Sequence, residues 1–299
     1  SAWGATGWCI GSATLDFTAT ESKGRTLLLY GNILGSDFSC NNGSPIPNPA
    51  SCSVPLPEGN AVASYAATSS LNMTTGGNQA WKRDITAPTL NGSFDQSANG
   101  LNWFSSAVNL SVTASDVLSG IASIEYSYDN VTWQPYSAPL HFTDGSTPIY
   151  LITHDGAGNA TTFSETVQVD SQAPQLSRTL SGTNGTPPWY ISDVQIELFP
   201  SDAAPSSGTQ YFAYTLDGTN WISYTAPIPL FEGVYAFASL LVDNADHQAA
   251  LAEEIKIDTS APEINVTHAG TQGSANFYTS AVTYEMTAKD SISGVTKSE

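Results

Sequence analysis

Apolar and polar residues alternate at four places along the chain, and each alternating stretch begins five positions after an aromatic residue. The four copies are Trp8 with Ala13, Leu15 and Phe17, Trp103 with Val108, Leu110 and Val112, Trp189 with Val194, Ile196 and Leu198, and Phe277 with Val282, Tyr284 and Met286. An apolar residue at every second position is typical of a β-strand with one buried face. The recurrence therefore predicts an all-β chain built from a repeated module.

The sequence Asp-Xaa-Xaa-Ala-Pro occurs three times, beginning at Asp84, Asp170 and Asp258. These starting points are 86 and 88 residues apart, which is too long for a helical solenoid repeat and fits one small β-sandwich domain. Proline has no N–H for a sheet ladder, and it favours an extended conformation in the residue before it. We therefore expect each copy to be a short, extended joint between globular modules.

Two turns and a hairpin recur between the joints. Asp116 with Ser119-Gly120 matches Asp202 with Ser207-Gly208, the hairpin at 126–136 matches that at 214–224, and the turn at 155–159 matches that at 243–247. This pattern resembles the bacterial immunoglobulin-like repeats of secreted and surface proteins, especially those of the OmpL47 type. The resemblance implies a tandem array of seven-strand β-sandwiches, used as an extracellular spacer, stalk or adhesive rod, and it implies no enzyme.

The two ends of the chain interrupt the repeat. We predict an immunoglobulin-like module at 1–83 that lacks its first strand and carries a loop insertion bracketed by cysteines, complete modules at 84–169 and 170–257, and the first strands of an incomplete module at 258–299. These segments are called modules one to four below. Two explanations stay open. The chain is a window of a longer repetitive polypeptide, or it is a polymerising subunit whose terminal strands complete a module of the next copy by β-augmentation.

The net negative charge argues against nucleic acids and membranes as binding partners. Lys and Arg number 8 against 27 Asp and Glu, so the net charge is -19. A chain this acidic is repelled by nucleic acid and by anionic membranes, and it attracts cations. No apolar run approaches the roughly 18 residues of a membrane span. We therefore expect neither nucleic-acid binding nor membrane insertion.

All three cysteines, Cys9, Cys40 and Cys52, lie in module one. Cys40 and Cys52 bracket a loop without apolar periodicity, and we predict a disulfide between them, worth roughly 3 kcal/mol for a loop of about a dozen residues. Cys9 is then left over, either buried and free or paired beyond this chain. No CxxC motif or paired histidines accompany the three, so zinc is not expected there.

Carboxylates cluster at the predicted joints. In an immunoglobulin-like sandwich, two loops of a module lie at the same end as its incoming joint. This places together Asp84, Asp116, Asp155 and Asn159 for module two, and Asp170, Asp202 and Asp243 for module three. Hard oxygen ligands from loops suit calcium, so we predict interdomain calcium that stiffens the joint. The alternative is that aspartate and asparagine occupy these turns because their side chains bond nearby backbone amides.

Aromatic residues recur in the hairpins as Trp133 and Tyr136, and again as Trp221 and Tyr224. They are candidates for stacking on a glycan, as an adhesin requires. Aromatic residues at a fixed hairpin register more often pack in the core or across strands, and we favour packing.

An enzyme is not predicted. The four histidines do not recur at one repeat position and are expected to be exposed, and His154 beside Asp155 has no nucleophile or phosphate-binding loop to complete a site. We predict a non-enzymatic extracellular structural protein, a rod, stalk or filament-forming array on or outside a bacterial cell. The alternatives are a glycan- or protein-binding adhesin and the ancillary spacer of a larger secreted hydrolase. Expected partners are copies of itself, neighbouring immunoglobulin-like modules and surface glycans.

Overall fold

β-Strands form almost all of the regular structure in residues 7–295, the part of the chain that the computed structural model describes. The helical segments there are two short 3-10 turns, Cys40–Gly43 and Ser274–Asn276, and no helix in this range is long and apolar enough to cross a membrane. Internal contacts divide the chain into two compact units. The first comprises residues up to Ser97, Val108–Phe142 and Ser146–Gln168, and the second comprises Ala98–Ala107, Thr143–Gly145 and residues from Val169 onward.

Module one has six strands in two sheets. They are β1 (Thr14–Ala19), β2 (Leu27–Ile33), β3 (Ser36–Ser39), β4 (Ala50–Pro55), β5 (Gly59–Ser69) and β6 (Thr74–Arg83). One sheet has the order β3-β2-β5-β6, and the other is the antiparallel pair β1-β4. Leu27 and Leu29 on β2 are buried in one cluster with Ala50 on β4, so side chains of both sheets share this core.

Module two has eight strands in a three-stranded and a five-stranded sheet. They are β7 (Thr89–Phe94), β8 (Trp103–Phe104), β9 (Val108–Ser115), β10 (Ile121–Ser127), β11 (Gln134–Pro135), β12 (Leu140–Phe142), β13 (Gly145–Asp155) and β14 (Ala160–Val169). The sheet orders are β12-β9-β7 and β11-β10-β13-β14-β8.

Module three repeats this topology. Its strands are β15 (Gln175–Ser181), β16 (Trp189–Tyr190), β17 (Val194–Ser201), β18 (Thr209–Thr215), β19 (Ile222–Ser223), β20 (Ile228–Leu230), β21 (Gly233–Asp243) and β22 (Gln248–Ile257). The sheet orders are β15-β17-β20 and β16-β22-β21-β18-β19. The repeated two-sheet arrangement confirms the predicted fold class, an all-β tandem array of immunoglobulin-like sandwiches.

The alternating apolar residues form the cores of these modules. Val108 and Leu110 on β9 are fully buried, and on β17 Val194, Ile196 and Leu198 pack in one cluster. Each fully buried aliphatic side chain of this size contributes about 1.5–3 kcal/mol. The period-two pattern therefore both sets the strands and decides which face of each sheet is covered.

The start of module four is a pair of strands without a buried face. β23 (Glu263–Ala269) and β24 (Thr283–Lys289) form an antiparallel pair, and the apolar residues that alternate along β24 are exposed. Tyr284 is 66% and Met286 65% exposed, because no second sheet covers this pair within the described residues. Two strands without a covering layer do not enclose a core.

Candidate functional site

Each joint begins with an aspartate that forms hydrogen bonds with both the preceding and the following module. The backbone N–H groups of Asp84, Asp170 and Asp258 donate to the carbonyl oxygens of Cys9, Phe104 and Tyr190 at 3.1, 3.0 and 2.9 Å. Their carboxylates accept hydrogen bonds from the backbone N–H groups of Ser119, Ser207 and Ser293 at 3.0, 2.7 and 3.1 Å. The first partner always precedes the joint and the second always follows it. One residue type thus links consecutive modules in the same way three times.

A second acidic residue anchors each joint from the preceding module, and the sequence analysis missed this role. Glu58 accepts hydrogen bonds from the N–H groups of Ile85 and Thr86 at 2.8 and 2.9 Å. Asp144 likewise accepts the N–H and the hydroxyl of Ser171. Glu232 accepts the N–H and the hydroxyl of Thr259 and the hydroxyl of Ser260. The signal in the sequence was the constant separation of 27 or 28 residues between acceptor and donor.

The candidate calcium ligands of module two do converge. Asp84, Asp116 and Asp155 each offer a carboxylate oxygen within 4.8 Å of the other two. Burial raises the pKa of Asp84, the hydrogen bonds from Ser119 and Thr86 act in the opposite direction, and the nearby charge of Asp116 raises it again, so that the pKa is raised overall. Such a cluster attracts a cation, because a cation relieves both desolvation and repulsion.

Hydrogen bonds from the protein already occupy several of the carboxylate oxygens in this cluster. Oδ1 of Asp116 accepts three backbone N–H bonds, from residues 118–120, and Oδ1 of Asp155 accepts three from residues 157–159. The side-chain nitrogen of Asn159 donates to Asp155 Oδ2 at 2.7 Å and to the carbonyl oxygens of Asp84 and Thr86. All three partners of this nitrogen are acceptors, so the amide closes the cluster as a donor.

The acidic group of module three has a different composition. The atoms that lie within 4.8 Å of one another belong to Asp170, Asp243 and His247. Asp202 lies outside this group, yet it is near enough for the charges of Asp170 and Asp243 to act on it. Burial first, and then these two charges, raise the pKa of Asp202. Asp170 and Asp243 therefore lie together as predicted, and the third member of the group is a residue that was not predicted.

His247 is that member, and it is not the exposed turn residue that we expected. Its side chain is 22% exposed and its Nδ1 lies 3.3 Å from Oδ2 of Asp243, whose side chain is 1% exposed. Burial raises the pKa of Asp170, but the hydrogen bonds from Ser207 and Gln172 outweigh this effect, and the net shift of the pKa is downward. The signal was available, since His247 follows Asp243 by the same four positions that separate Asn159 from Asp155.

In the described residues of module one, the equivalent loops contain no such cluster of acidic residues. Glu21 pairs with Arg25 at 2.6 Å, and the hydroxyl of Ser69 accepts the N–H groups of Leu71 and Met73 in place of an aspartate. The turn itself therefore needs only an acceptor side chain, and the carboxylate clusters are specific to the modules that follow a joint.

The cysteines are arranged as predicted. Cys40 and Cys52 form a disulfide, and Cys9 is a buried free thiol. Cys9 also supplies the carbonyl oxygen that binds the first joint aspartate. The disulfide holds the loop between β3 and β4 against the core formed by Leu27, Leu29 and Ala50.

The hairpin aromatics divide into two kinds. The rings of Phe212 and Tyr224 pack with centroids 5.0 Å apart, and the hydroxyls of Tyr136 and Tyr224 accept backbone N–H groups. Trp133 is half-buried, whereas Trp221 is 44% exposed. The two tyrosines are thus structural, and Trp221 presents part of its ring to solvent.

No protein-family model and no curated protein matches the sequence. Among solved structures, the chain is similar to a tetra-tandem repeat from the extending region of a large adhesion protein (16% identity, TM-score 0.33, covering 95% of this chain and 86% of that one). It is also similar to fibronectin(III)-like modules of Clostridium thermocellum CbhA (14% identity, TM-score 0.29, 56% and 93%) and to Bacteroides ovatus SGBP-B of a mixed-linkage glucan utilization locus (13% identity, TM-score 0.20, 88% and 69%). Similarity at these levels identifies neither a family nor a function, and the resemblance to OmpL47-type repeats stays a prediction.

Proposed function

We propose that this protein is a non-enzymatic structural component outside a bacterial cell, in which consecutive immunoglobulin-like modules transmit or resist mechanical load. The observation that supports this role most directly is the joint. An aspartate at each module boundary is bound by its backbone on one side and by its carboxylate on the other, three times over. A chain selected only for independent domains has no need to repeat such a link.

Pulling the purified chain in a force spectrometer tests the mechanical role. Each complete module should unfold in its own event. The 86 residues between Asp84 and Asp170, extended at roughly 3.6 Å each, lengthen the chain by about 300 Å less the folded span. Unfolding at negligible force would contradict a load-bearing role, and one merged event would contradict separate modules. Protease treatment of intact cells of the source organism tests the extracellular location, because a surface protein is cut without lysis.

Calcium at the joint before module two is part of this proposal. Asp84, Asp116 and Asp155 supply the hard oxygen ligands that calcium prefers, and an ion there neutralises a group whose pKa is raised by burial and repulsion. A ligand that binds only the folded state raises its stability in proportion to the logarithm of ligand concentration. Adding calcium to chelator-treated protein should therefore raise the melting temperature, and an unchanged transition would exclude calcium.

The structural role can also be that of a subunit that assembles into a filament. Strand β1 pairs with β4 only, as far as residues 7–295 show, whereas its counterparts β9 and β17 each pair on both edges. A strand with one unpaired edge can accept a strand from another copy. Sedimentation across a range of concentrations tests this, since a chain that stays monomeric at high concentration does not assemble through β1.

Glycan binding is the alternative function, and the exposure of Trp221 favours it. Trp221 is 44% exposed and is followed by Ile222, which is 50% exposed, and an exposed indole can stack on a sugar ring. A glycan panel screened against the wild-type protein and Trp221→Ala decides this alternative. Binding that disappears in the variant supports an adhesin, and absence of binding to the wild type leaves the structural role.

A further inference from the structure

Five buried side-chain atoms at the joint before module three have no hydrogen-bond partner in the described part of the chain. They are both carboxylate oxygens of Asp202, Oδ2 of Asp243, Nδ1 of His247 and Oγ of Ser207. Buried carboxylate oxygens without a donor or a cation are strongly unfavourable. The Ser207 hydroxyl and one water molecule together donate only three hydrogen bonds, so they do not satisfy the other four atoms.

The hydrogen bond made by Nε2 of His247 determines whether Nδ1 carries a proton or a lone pair. Nε2 lies 3.1 Å from the carbonyl oxygen of Ser105, and a carbonyl oxygen only accepts, so Nε2 carries the proton. In the neutral imidazole Nδ1 then has a lone pair, which faces Oδ2 of Asp243 at 3.3 Å. Two lone pairs at this distance repel unless a positive species lies between them or next to both.

The donor types and one measured distance match those of a zinc site. Two ligands bound at 2.0–2.1 Å to a tetrahedral zinc ion lie about 3.3 Å apart, which is the separation of His247 Nδ1 and Asp243 Oδ2. Asp170 adds a carboxylate oxygen within 4.8 Å of both residues' ligand atoms. Histidines that bind metals usually donate their other N–H to a carboxylate or a backbone carbonyl, and His247 does this with Ser105.

The joint before module two provides the contrast. There the residue equivalent to His247 is Asn159, whose amide nitrogen donates to Asp155 Oδ2 at 2.7 Å. In module two, an N–H group of this amide therefore faces the aspartate oxygen. In module three, the lone pair of His247 Nδ1 faces the equivalent oxygen. A nitrogen ligand also distinguishes the metals, because calcium prefers oxygen ligands alone and imidazole suits zinc and its neighbours.

We propose that Asp170, Asp243 and His247 bind one divalent transition-metal ion, zinc or a metal of similar preference, with Asp202 as a further carboxylate beside it. The ion joins a residue of the joint to the last residue of β21 and to a residue of the turn that follows it, so it stabilises the folded state of module three. This binding does not require the structural role proposed above, since the same ligands are present in an adhesin.

The experiment uses the full chain without a histidine tag, stripped of metal with a chelator at pH 8. Cobalt(II) titrated into the protein should give the visible absorption bands of a tetrahedral site, saturating at one ion per chain, and zinc should displace it. Zinc should also raise the melting temperature. Calcium is titrated as a separate arm and should not displace cobalt.

His247→Asn is the informative variant, because it installs the residue type that module two uses at the equivalent position. The introduced asparagine can donate to Asp243 as Asn159 donates to Asp155, so the fold is expected to persist while zinc affinity falls at least tenfold. His268→Asn, at an exposed histidine, is the matched control and should bind as the wild type does. Circular dichroism of both variants confirms folding.

Nitrogen-15 NMR of the wild-type histidine rings gives a readout without any variant. Zinc should shift the Nδ1 resonance of His247 and leave the Nε2 proton in place. Three outcomes would overturn the proposal: no saturable binding of cobalt or zinc, binding retained in His247→Asn, or a His247 ring that carries protons on both nitrogens at pH 8 and does not respond to zinc. The last result would mean that a proton occupies the position assigned to the metal.

Discussion

The hydroxyl oxygen of Tyr224 accepts a hydrogen bond from the backbone N–H of Leu198 at 3.0 Å. Tyr136 and Val112 make the same contact in module two at 2.9 Å. Tyr224 follows β19 in one sheet and Leu198 lies on β17 in the other, so the bond crosses the sandwich. The hairpin aromatic that recurs in the sequence is therefore a link between the two sheets.

Replacing Tyr224 with Phe should destabilise module three by about 1–3 kcal/mol, because the ring still packs on Phe212 while the buried N–H of Leu198 loses its acceptor. Native-state hydrogen exchange should show faster exchange at the Leu198 amide than in the wild type. The control is Tyr211→Phe, at a tyrosine 40% exposed, which should change stability by less than about 0.5 kcal/mol. Equal protection of Leu198 in both variants would refute this role.

The fold was predictable because strand periodicity and proline joints are local signals. Val194, Ile196 and Leu198 identify both a strand and its buried face without any knowledge of distant residues. Module four shows where this fails. Tyr284 and Met286 have the same pattern, but burial depends on a covering sheet, and a strand's own sequence does not contain that information.

The candidate site was predictable only in part. Asp84, Asp116 and Asp155 were grouped because sandwich topology brings their loops to one end. His247 was not predicted because the histidines do not recur at one repeat position. Whether a carboxylate oxygen is already occupied, as Asp155 Oδ2 is by Asn159, depends on side-chain orientation, which no spacing in the sequence specifies.

Replacing Asp84 with Ala should destabilise the link between modules one and two. Its carboxylate accepts the N–H groups of Thr86 and Ser119. In the variant these groups keep a second acceptor, Glu58 for Thr86 and Asp116 for Ser119, so each lost bond costs only about 0.5–1.5 kcal/mol. Loss of the repulsion between Asp84 and Asp116 offsets part of this, and we expect a net loss of about 1 kcal/mol in urea unfolding. The measurement is made in chelator, which separates the hydrogen bonds from any bound cation.

The matched control for Asp84→Ala is Asp193→Ala, at an exposed aspartate. It lowers the net negative charge of the chain by the same amount. If both variants unfold at the same urea concentration, the effect of Asp84 is one of overall charge, and its hydrogen bonds contribute nothing to stability.

Reduction of the Cys40–Cys52 disulfide should destabilise module one by about 3 kcal/mol, the chain-entropy value for a loop of this length. The two cysteines are 12 positions apart. A thiol reagent should find no reactive thiol in the native protein, one after unfolding without reductant, which is Cys9, and three after unfolding with reductant. Three reactive thiols in the unreduced, unfolded protein would show that the disulfide is absent.

Acid should weaken the hairpins through Asp129 and Asp217. Asp129 accepts the N–H groups of Thr132 and Val131 at 2.7 and 2.8 Å, and Asp217 accepts those of Asn220 and Thr219 at 2.8 Å each. These bonds, in that order, hold the pKa of each carboxyl well below the ordinary value of 3.8. A folded-state pKa below the unfolded one stabilises the protein above the unfolded pKa, and this contribution is lost as pH falls towards the folded value.

The measurement is the difference in unfolding free energy between the wild type and the double variant Asp129→Ala, Asp217→Ala, followed from pH 7 to pH 2. The difference should stay constant down to about pH 4, near the pKa of an unfolded aspartate, and shrink below it as these two carboxyls become protonated in the unfolded state while they stay ionised in the folded state. A difference that is the same at pH 2 and pH 7 would mean that the aspartates contribute through shape rather than charge. A difference that grows in acid would require folded-state pKa values above that of an unfolded aspartate, the reverse of what the accepted N–H bonds produce.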